Sequence, residues 1–258
     1  MAEPVPHPMT LAYRQEDGAR LASLLWEFGP GWRMISSAVL GGGIGPREWV
    51  LNAQVASGYA RLDPADHLRE LGPGGSGVGM MTVAYADRYV RRHDGGVEAV
   101  ATVGLRRPTW AAAPPDADDP ELEPRGEAGS HGGPSADGAR DAAATVDAVA
   151  TADAVDSGRR APAPGTINIV VVVPVAMSDA ALVNAVMTVT EAKTQALVET
   201  GFPGTGTASD AVCVAVRQDG PEEIFGGPRS VWGARIARAV HAAVRDGVHE
   251  WHRGPRPR

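Results

Sequence analysis

The chain has 258 residues, 43% of them hydrophobic, with a formal net charge of -7 and a single cysteine. That length supports one large or two small domains with a sizeable core, and one cysteine excludes an internal disulfide or a cysteine-built zinc site. The charge is local: residues 113–164 hold 11 acidic and 4 basic side chains and the rest of the chain holds 20 of each, so no basic field is present to gather nucleic acid or a membrane surface.

Strands are predicted over 10–14, 20–27, 33–39 and 48–55, separated by Gly- and Pro-bearing turns short enough for antiparallel pairing. Pro64 to Leu71 reads as a short helix closed by Gly72. Residues 78–92 are ambiguous: 79–82 suit the end of a strand, and a helix is predicted from Asp87. Val97 to Leu105 is a further strand. Residues 113–164 contain no aromatic residue, no Ile and one Leu, Leu122. Such a segment buries too little to offset its ordering entropy, and a disordered insert is expected. Beyond it, Thr166 to Val173 is a strand apolar enough to be buried on both faces. A helix follows over 179–200, with Ser178 as N-cap and Gly201 and Pro203 past its end. Ala211 to Val216 is another buried strand. A last helix, capped by Ser230, carries the stripe Trp232, Ile236, Val240 and Val244, with Arg235, Arg238 and Arg245 toward water. The elements predict an α+β fold, a mixed and partly antiparallel sheet packed by helices. One domain over residues 9–252, interrupted by the insert at 113–164, is expected. No apolar run of about 18 residues is present and the N-terminus lacks a signal-peptide pattern, so a cytoplasmic protein is expected.

Four segments place small polar residues beside predicted buried strands: Ser36 to Gly43, Gly165 to Asn168, Thr190 to Lys193, and Gly204 to Asp210. Their glycines allow backbone N–H groups to approach a ligand, although each segment alone also reads as an ordinary turn. The chain has 23 arginines but one lysine and three asparagines. Under a coding bias toward GC-rich codons, Lys193, Asn52, Asn168 and Asn184 would survive where their chemistry is needed. The alternative is chance. On the helical wheel Asn184, Thr188, Glu191 and Gln195 form a polar stripe, whereas Lys193 sits within the arc of Leu182, Val186, Val189 and Leu197. An ammonium there needs a partner. Asp210, at the head of a buried strand, is the candidate, with a turn-forming role as the plainer reading. Glu191 points away from Lys193. Cys213, between Val212 and Val214, reads as a buried structural thiol.

Common motifs fail in context. Gly72, Gly74 and Gly77 match a dinucleotide fingerprint but follow a helix, no GxSxG occurs, and His249 and His252 have the wrong spacing for a zinc helix. None of the seven histidines lies in the four polar segments, which disfavours Ser-His-Asp and His-metal mechanisms.

Taken in order, SSAVLGGG (36–43), NAQV (52–55), GVGMMT (77–82), GTINIVVVV (165–173), TEAK within VNAVMTVTEAKTQAL (183–197), GTGTASDAV (204–212) and GGP (226–228) resemble the adenosylcobinamide amidohydrolase family. The resemblance implies hydrolysis of the amide between the corrin propionyl arm and aminopropanol, giving adenosylcobyric acid for corrinoid (vitamin B12) salvage. No metal site or cofactor is then expected beyond the cobalt that the substrate carries. Amide hydrolysis needs an activated water or nucleophile, an oxyanion site and a proton for the amine. Asp210 or Glu191 is expected to activate water, with Lys193 and N–H groups of Gly41 to Gly43 or Gly204 to Gly206 at the oxyanion. A competing scheme makes Thr205, Thr207 or Ser209 a covalent nucleophile with Lys193 as base. Ser37, Gly41, Gly42, Gly43, Asn52, Asn168, Gly204, Thr205, Gly206 and Thr207 are the expected substrate contacts, around a wide cleft between the two blocks flanking the insert. A corrinoid-binding salvage protein without catalysis is the alternative, and a threonine-type amidase acting on peptides a fainter third. A homo-oligomer is left open.

Overall fold

The computed structural model describes residues 8–117, Leu122 and 165–254. The chain opens with a hairpin, β1 (Met9–Glu16) and β2 (Ala19–Glu27), turned by Asp17 and Gly18, both at positive φ, the combination a two-residue turn between twisted strands requires. β3 (Trp32–Ser36), β4 (Gly43–Pro46) and β5 (Trp49–Gln54) follow, then α1 (Pro64–Leu71) and β6 (Gly77–Thr82). After a single 3-10 turn at Ala86–Arg88 come β7 (Val90–Asp94) and β8 (Val97–Gly104). The second block holds β9 (Thr166–Met177), α2 (Asp179–Glu199), β10 (Ala211–Arg217), a two-residue β11 (Glu222–Glu223) and α3 (Val231–His252).

Two sheets result. The smaller runs β1-β2-β5-β6, and the larger runs β4-β3-β10-β9-β8-β7 with β11 beside β9. β5–β6 and β9–β10 pair in parallel, while the hairpins and β8–β9 pair antiparallel. This is the predicted α+β class with mixed strand directions. The alternation of β9 sorts the layers. Ile167, Ile169, Val171 and Val173 face α2 and α3, packing on Leu182, Val189, Leu197, Ile236, Val240 and Val244. Val170 and Val172 face the small sheet, packing with Leu24, Trp26, Val50 and Met80. α1 covers the far side of the small sheet through Leu68 against Trp49 and Leu51. Among the described residues, no helix is long and apolar enough to cross a membrane.

Where the elements differ from expectation, the cause is local. The helix predicted from Asp87 is instead the 3-10 turn and β7, because Gly95 and Gly96, at φ 51° and 95°, close a tight hairpin pairing Asp94 with Val97. β7 is an edge strand whose outer residues are exposed, which gave it a polar, helix-like composition. β3 stops at Ser36, not Val39, since Ser36 Oγ accepts from Ala38 N at 3.0 Å and turns the chain toward β4. β9 runs past Pro174, whose missing N–H is absorbed by a bulge: Val216 pairs with Val173 and Arg217 with Ala176. Leu122 packs on the helix-side core and its N–H donates to Arg106 O at 2.7 Å, so the chain is still docked beyond the expected start of the insert. Of the expected disordered segment, residues 118–121 and 123–164 lie outside the described residues.

The caps fall where the sequence placed them: Ser178 Oγ accepts from Ala181 N at 3.2 Å and Ser230 Oγ from Gly233 N at 3.1 Å. Gly233 has a second role. A Cβ there would meet the carbonyl oxygens of Gly226 and Gly227, so α3 seats on this loop only without a side chain. Backbone cannot swing aside as a side-chain tip can. Gly233→Ala is expected to cost about 1–3 kcal/mol, measured as a lowered urea midpoint at unchanged slope.

Candidate functional site

A cleft of about 500 Å³ opens at the end of the sandwich where β3, β5 and β6 finish and β9 and β10 begin. Its walls include Ser37, Ala38 and Val39 after β3, Ser57 and Tyr59 after β5, Met81 and Thr82 of β6, and Thr166, Ser209 and Asp210 from the second block. Both halves of the chain therefore line it. Ser37 ties the two together, since its N–H donates to Val212 O and its hydroxyl accepts from Val212 N, each at 3.0 Å.

Asp210, one of the cleft walls, is paired with Lys193, which is not itself among the lining residues. Lys193 is 8% exposed on the apolar face of α2, and its Nζ donates to Asp210 Oδ2 at 2.5 Å. Asp210 is held from all sides: Oδ1 accepts from Ile167 N at 2.9 Å and Thr207 Oγ1 at 2.5 Å, while Oδ2 also accepts from Thr207 N at 3.2 Å. A carboxylate offers about four acceptor positions, and here all are used. Asp210 is thus an anchor for the ammonium and for its own loop; to take a proton from water it would have to release a partner. Gly206 makes the pair fit, because a Cβ there would overlap both Asp210 Oδ2 and Lys193 Nζ.

The other predicted residues divide. Glu191 is exposed on the opposite face of α2 and lies outside the cleft walls, as the wheel required, which removes it as a base. Gly204 and Thr205 donate their N–H groups to Phe202 O at 2.9 Å and Thr109 O at 3.0 Å, so an oxyanion role for this pair is displaced by a structural one. Thr205 Oγ1 also donates to Thr109 O at 3.3 Å and accepts from Ala111 N at 3.0 Å, so backbone groups and not a base hold this hydroxyl. Gly41, Gly42 and Gly43 pack beside the cleft instead of lining it; Gly41, at φ 70°, presses on the Gly77 carbonyl where a Cβ would clash. Asn52 and Asn168 are buried between the sheets. Asn168 Nδ2 donates to Asn52 Oδ1 at 2.9 Å and to Met81 O at 2.8 Å, and Asn52 Nδ2 donates to Thr102 Oγ1 at 3.0 Å. Together they fix the cleft-lining backbone at Met81. Asn168 Oδ1 has no hydrogen-bond partner among the described residues.

Cys213 is buried, with burial as the main cause pushing its thiol up to about 12, which fits a structural role. Among the described residues no group of three or more His, Cys, Asp and Glu side chains converges. Ser209 and Thr166 line the cleft with their hydroxyls 3.0 Å apart, a pair within the named segments that spacing alone did not join. Tyr59 and the buried His67, 3.1 Å apart between Oη and Nδ1, were missed outright, since no motif marks them.

A cleft of this size between a small sheet and a helix-backed large one, with the ion-paired carboxylate of Asp210 in its wall, defines an α+β protein with a ligand-sized cleft. The chain belongs to the adenosylcobinamide amidohydrolase family, whose sequence profile matches residues 8–255. It is 44% identical over 88 residues to an adenosylcobinamide amidohydrolase of Halobacterium salinarum, covering 34% of this chain and 37% of the relative. It is 39% identical over 93 residues to one of Methanosarcina mazei, covering 33% of this chain and 46% of the relative. The matched stretch thus spans less than half the length of these curated relatives.

Proposed function

We propose that the chain hydrolyses the amide joining the propionyl arm of adenosylcobinamide to aminopropanol, giving adenosylcobyric acid for corrinoid salvage in the cytoplasm. The observation that carries this is the shielded Lys193 ammonium bonded to Asp210, itself a wall of a cleft lined by both halves of the chain. An adenosylated corrinoid exceeds about 500 Å³, so the side arm enters while the ring rests on the rim, where Val39 is 54% exposed. The cobalt belongs to the substrate in this reading.

Lys193 has three N–H groups and gives one to Asp210. The others supply positive charge where the tetrahedral oxyanion forms, strengthened by low local exposure. The charge is already in place, so little reorganisation accompanies the reaction. Lys193 bonds a carboxylate and not a hydroxyl, which supports water attack over a Lys-activated Ser or Thr nucleophile. The filled acceptor set of Asp210 also suits a second reading, a corrinoid-binding protein without catalysis. Incubating the purified chain with adenosylcobinamide and resolving the products by chromatography separates the two. Stoichiometric appearance of adenosylcobyric acid and aminopropanol is expected; tight binding without either product would leave the binding protein.

A further inference from the structure

Asp210 has no acceptor position to spare and Glu191 faces away, so the hydrolysis lacks a base among the residues the sequence suggested. The cleft contains another candidate. Tyr59 lines it together with Asp210. Behind Tyr59, His67 of α1 is 4% exposed and places Nδ1 3.1 Å from the phenol oxygen. Behind His67, Glu16 of β1 lies 3.5 Å from Nε2 and is itself held by Arg14 at 2.6 Å. An ionised carboxylate only accepts, so the ring nitrogen facing Glu16 carries the proton and Nδ1 accepts from the Tyr59 hydroxyl. Phenol, imidazole and carboxylate thus form a line from the cleft to the edge of the small sheet.

We propose that Tyr59, with His67 and Glu16 behind it, is the proton relay of the reaction. This rests on the amidohydrolase reading. As water attacks the amide carbon, its proton passes to the Tyr59 oxygen while the Tyr59 proton moves to His67 Nδ1, forming an imidazolium beside the Glu16 carboxylate. When the C–N bond breaks, Tyr59 gives its proton to the departing amine and recovers one from Nδ1. The relay ends as it began, with one water consumed and one acid and one amine produced. Tyr59 is the catalytic residue; His67 and Glu16 act through it as positioning residues. Burial, the largest influence on Tyr59, raises its phenol above the usual value, which keeps the hydroxyl protonated and ready to move. The other charges facing this line are Arg61, Asp63 and Glu70, which also act on the Tyr59 ring, and Arg14, which is bound to Glu16.

The test is the pH dependence of kcat and KM for aminopropanol release in wild type, Tyr59→Phe, His67→Gln and Glu16→Gln. The relay starts from a neutral imidazole, so kcat/KM of wild type is expected to fall on the acid side. Tyr59→Phe is expected to lower kcat about 100-fold with KM nearly unchanged. His67→Gln lowers kcat about 100-fold and removes the acid limb. Glu16→Gln, at the partly exposed edge, withdraws support from the imidazolium; the limb shifts to lower pH and kcat falls about tenfold. In the protein without substrate, nitrogen NMR of labelled histidine should find His67 as the Nε2–H tautomer. The opposite tautomer, a Tyr59→Phe effect confined to KM, or an acid limb unmoved in both His67→Gln and Glu16→Gln would overturn the relay. If wild type releases no aminopropanol at any pH, the amidohydrolase reading falls and takes the relay with it; an active wild type with an unmoved limb sinks the relay alone.

Discussion

Replacing Lys193 with Met is expected to lower kcat/KM for aminopropanol release about a thousandfold, the upper end of what loss of one preorganised oxyanion donor costs. Met suits the test because it keeps the unbranched length and fits the apolar arc around position 193, so the change is mainly one of charge. Asp210 would retain Ile167 N, Thr207 N and Thr207 Oγ1 as donors. Removing one partner of a buried pair ordinarily costs about 3–5 kcal/mol. The three remaining bonds should hold the loss near 2 kcal/mol, in the range for a buried polar group deprived of one partner. The checks are steady-state kinetics beside a urea melt of the same variant. Lys193→Arg should recover little, since a planar guanidinium cannot take the place of a compact ammonium in contact with a single carboxylate oxygen. Full activity in Lys193→Met would remove the site assignment and leave the family membership standing.

Much of this arrangement was legible because the chemistry was local or periodic. The wheel placed Lys193 among Leu182, Val189 and Leu197, and all three are buried in the helix-side core with it. Ser178, Ser230 and Gly72 marked helix ends through cap chemistry that acts within a few residues. The scarcity of lysine and asparagine pointed to Lys193, Asn52 and Asn168, each of which ties separate elements together. It pointed equally to Asn184, which is exposed and only donates back to Ala180 O at 3.4 Å within its own helix. Scarcity thus flags positions where substitution is costly without distinguishing a ligand contact from an internal brace.

What escaped the sequence depends on long-range pairing. Two separate sheets could not be read from strand patterns, because β5 and β6 join the β1-β2 hairpin while the intervening β3 and β4 join β10. The strand pattern of β3 is the same whichever partner it takes. His67 illustrates the consequence for the site. It sits eight residues from Tyr59 and 51 residues from Glu16 in sequence, and only the packing of α1 on the outer face of the small sheet brings the three into line. Thr188, expected in the polar stripe of α2, is buried instead because its hydroxyl reaches Gly226 O at 2.9 Å, a partner 38 residues away.

Gly206→Ala is expected to reduce activity several hundredfold, approaching the loss of an oxyanion donor, with a far smaller effect on stability than Gly233→Ala. Gly206 is buried and carries no positive φ, so alanine adds no backbone strain. The two atoms its methyl would overlap are Asp210 Oδ2 and Lys193 Nζ, the tips of side chains that can rotate away. Movement relieves the clash at the expense of the ion pair, whereas the strand register and the bond from Thr109 N to Gly206 O at 2.9 Å can persist. Loss of activity in a folded variant is therefore the signature of a pair whose position matters to the reaction, as opposed to one that merely braces α2 against the 204–210 loop. Activity and denaturation midpoint measured on one preparation decide it. Wild-type turnover in Gly206→Ala would mean that the contact between ammonium and carboxylate does not serve the chemistry, and a midpoint falling as far as the rate would make the pair a structural brace.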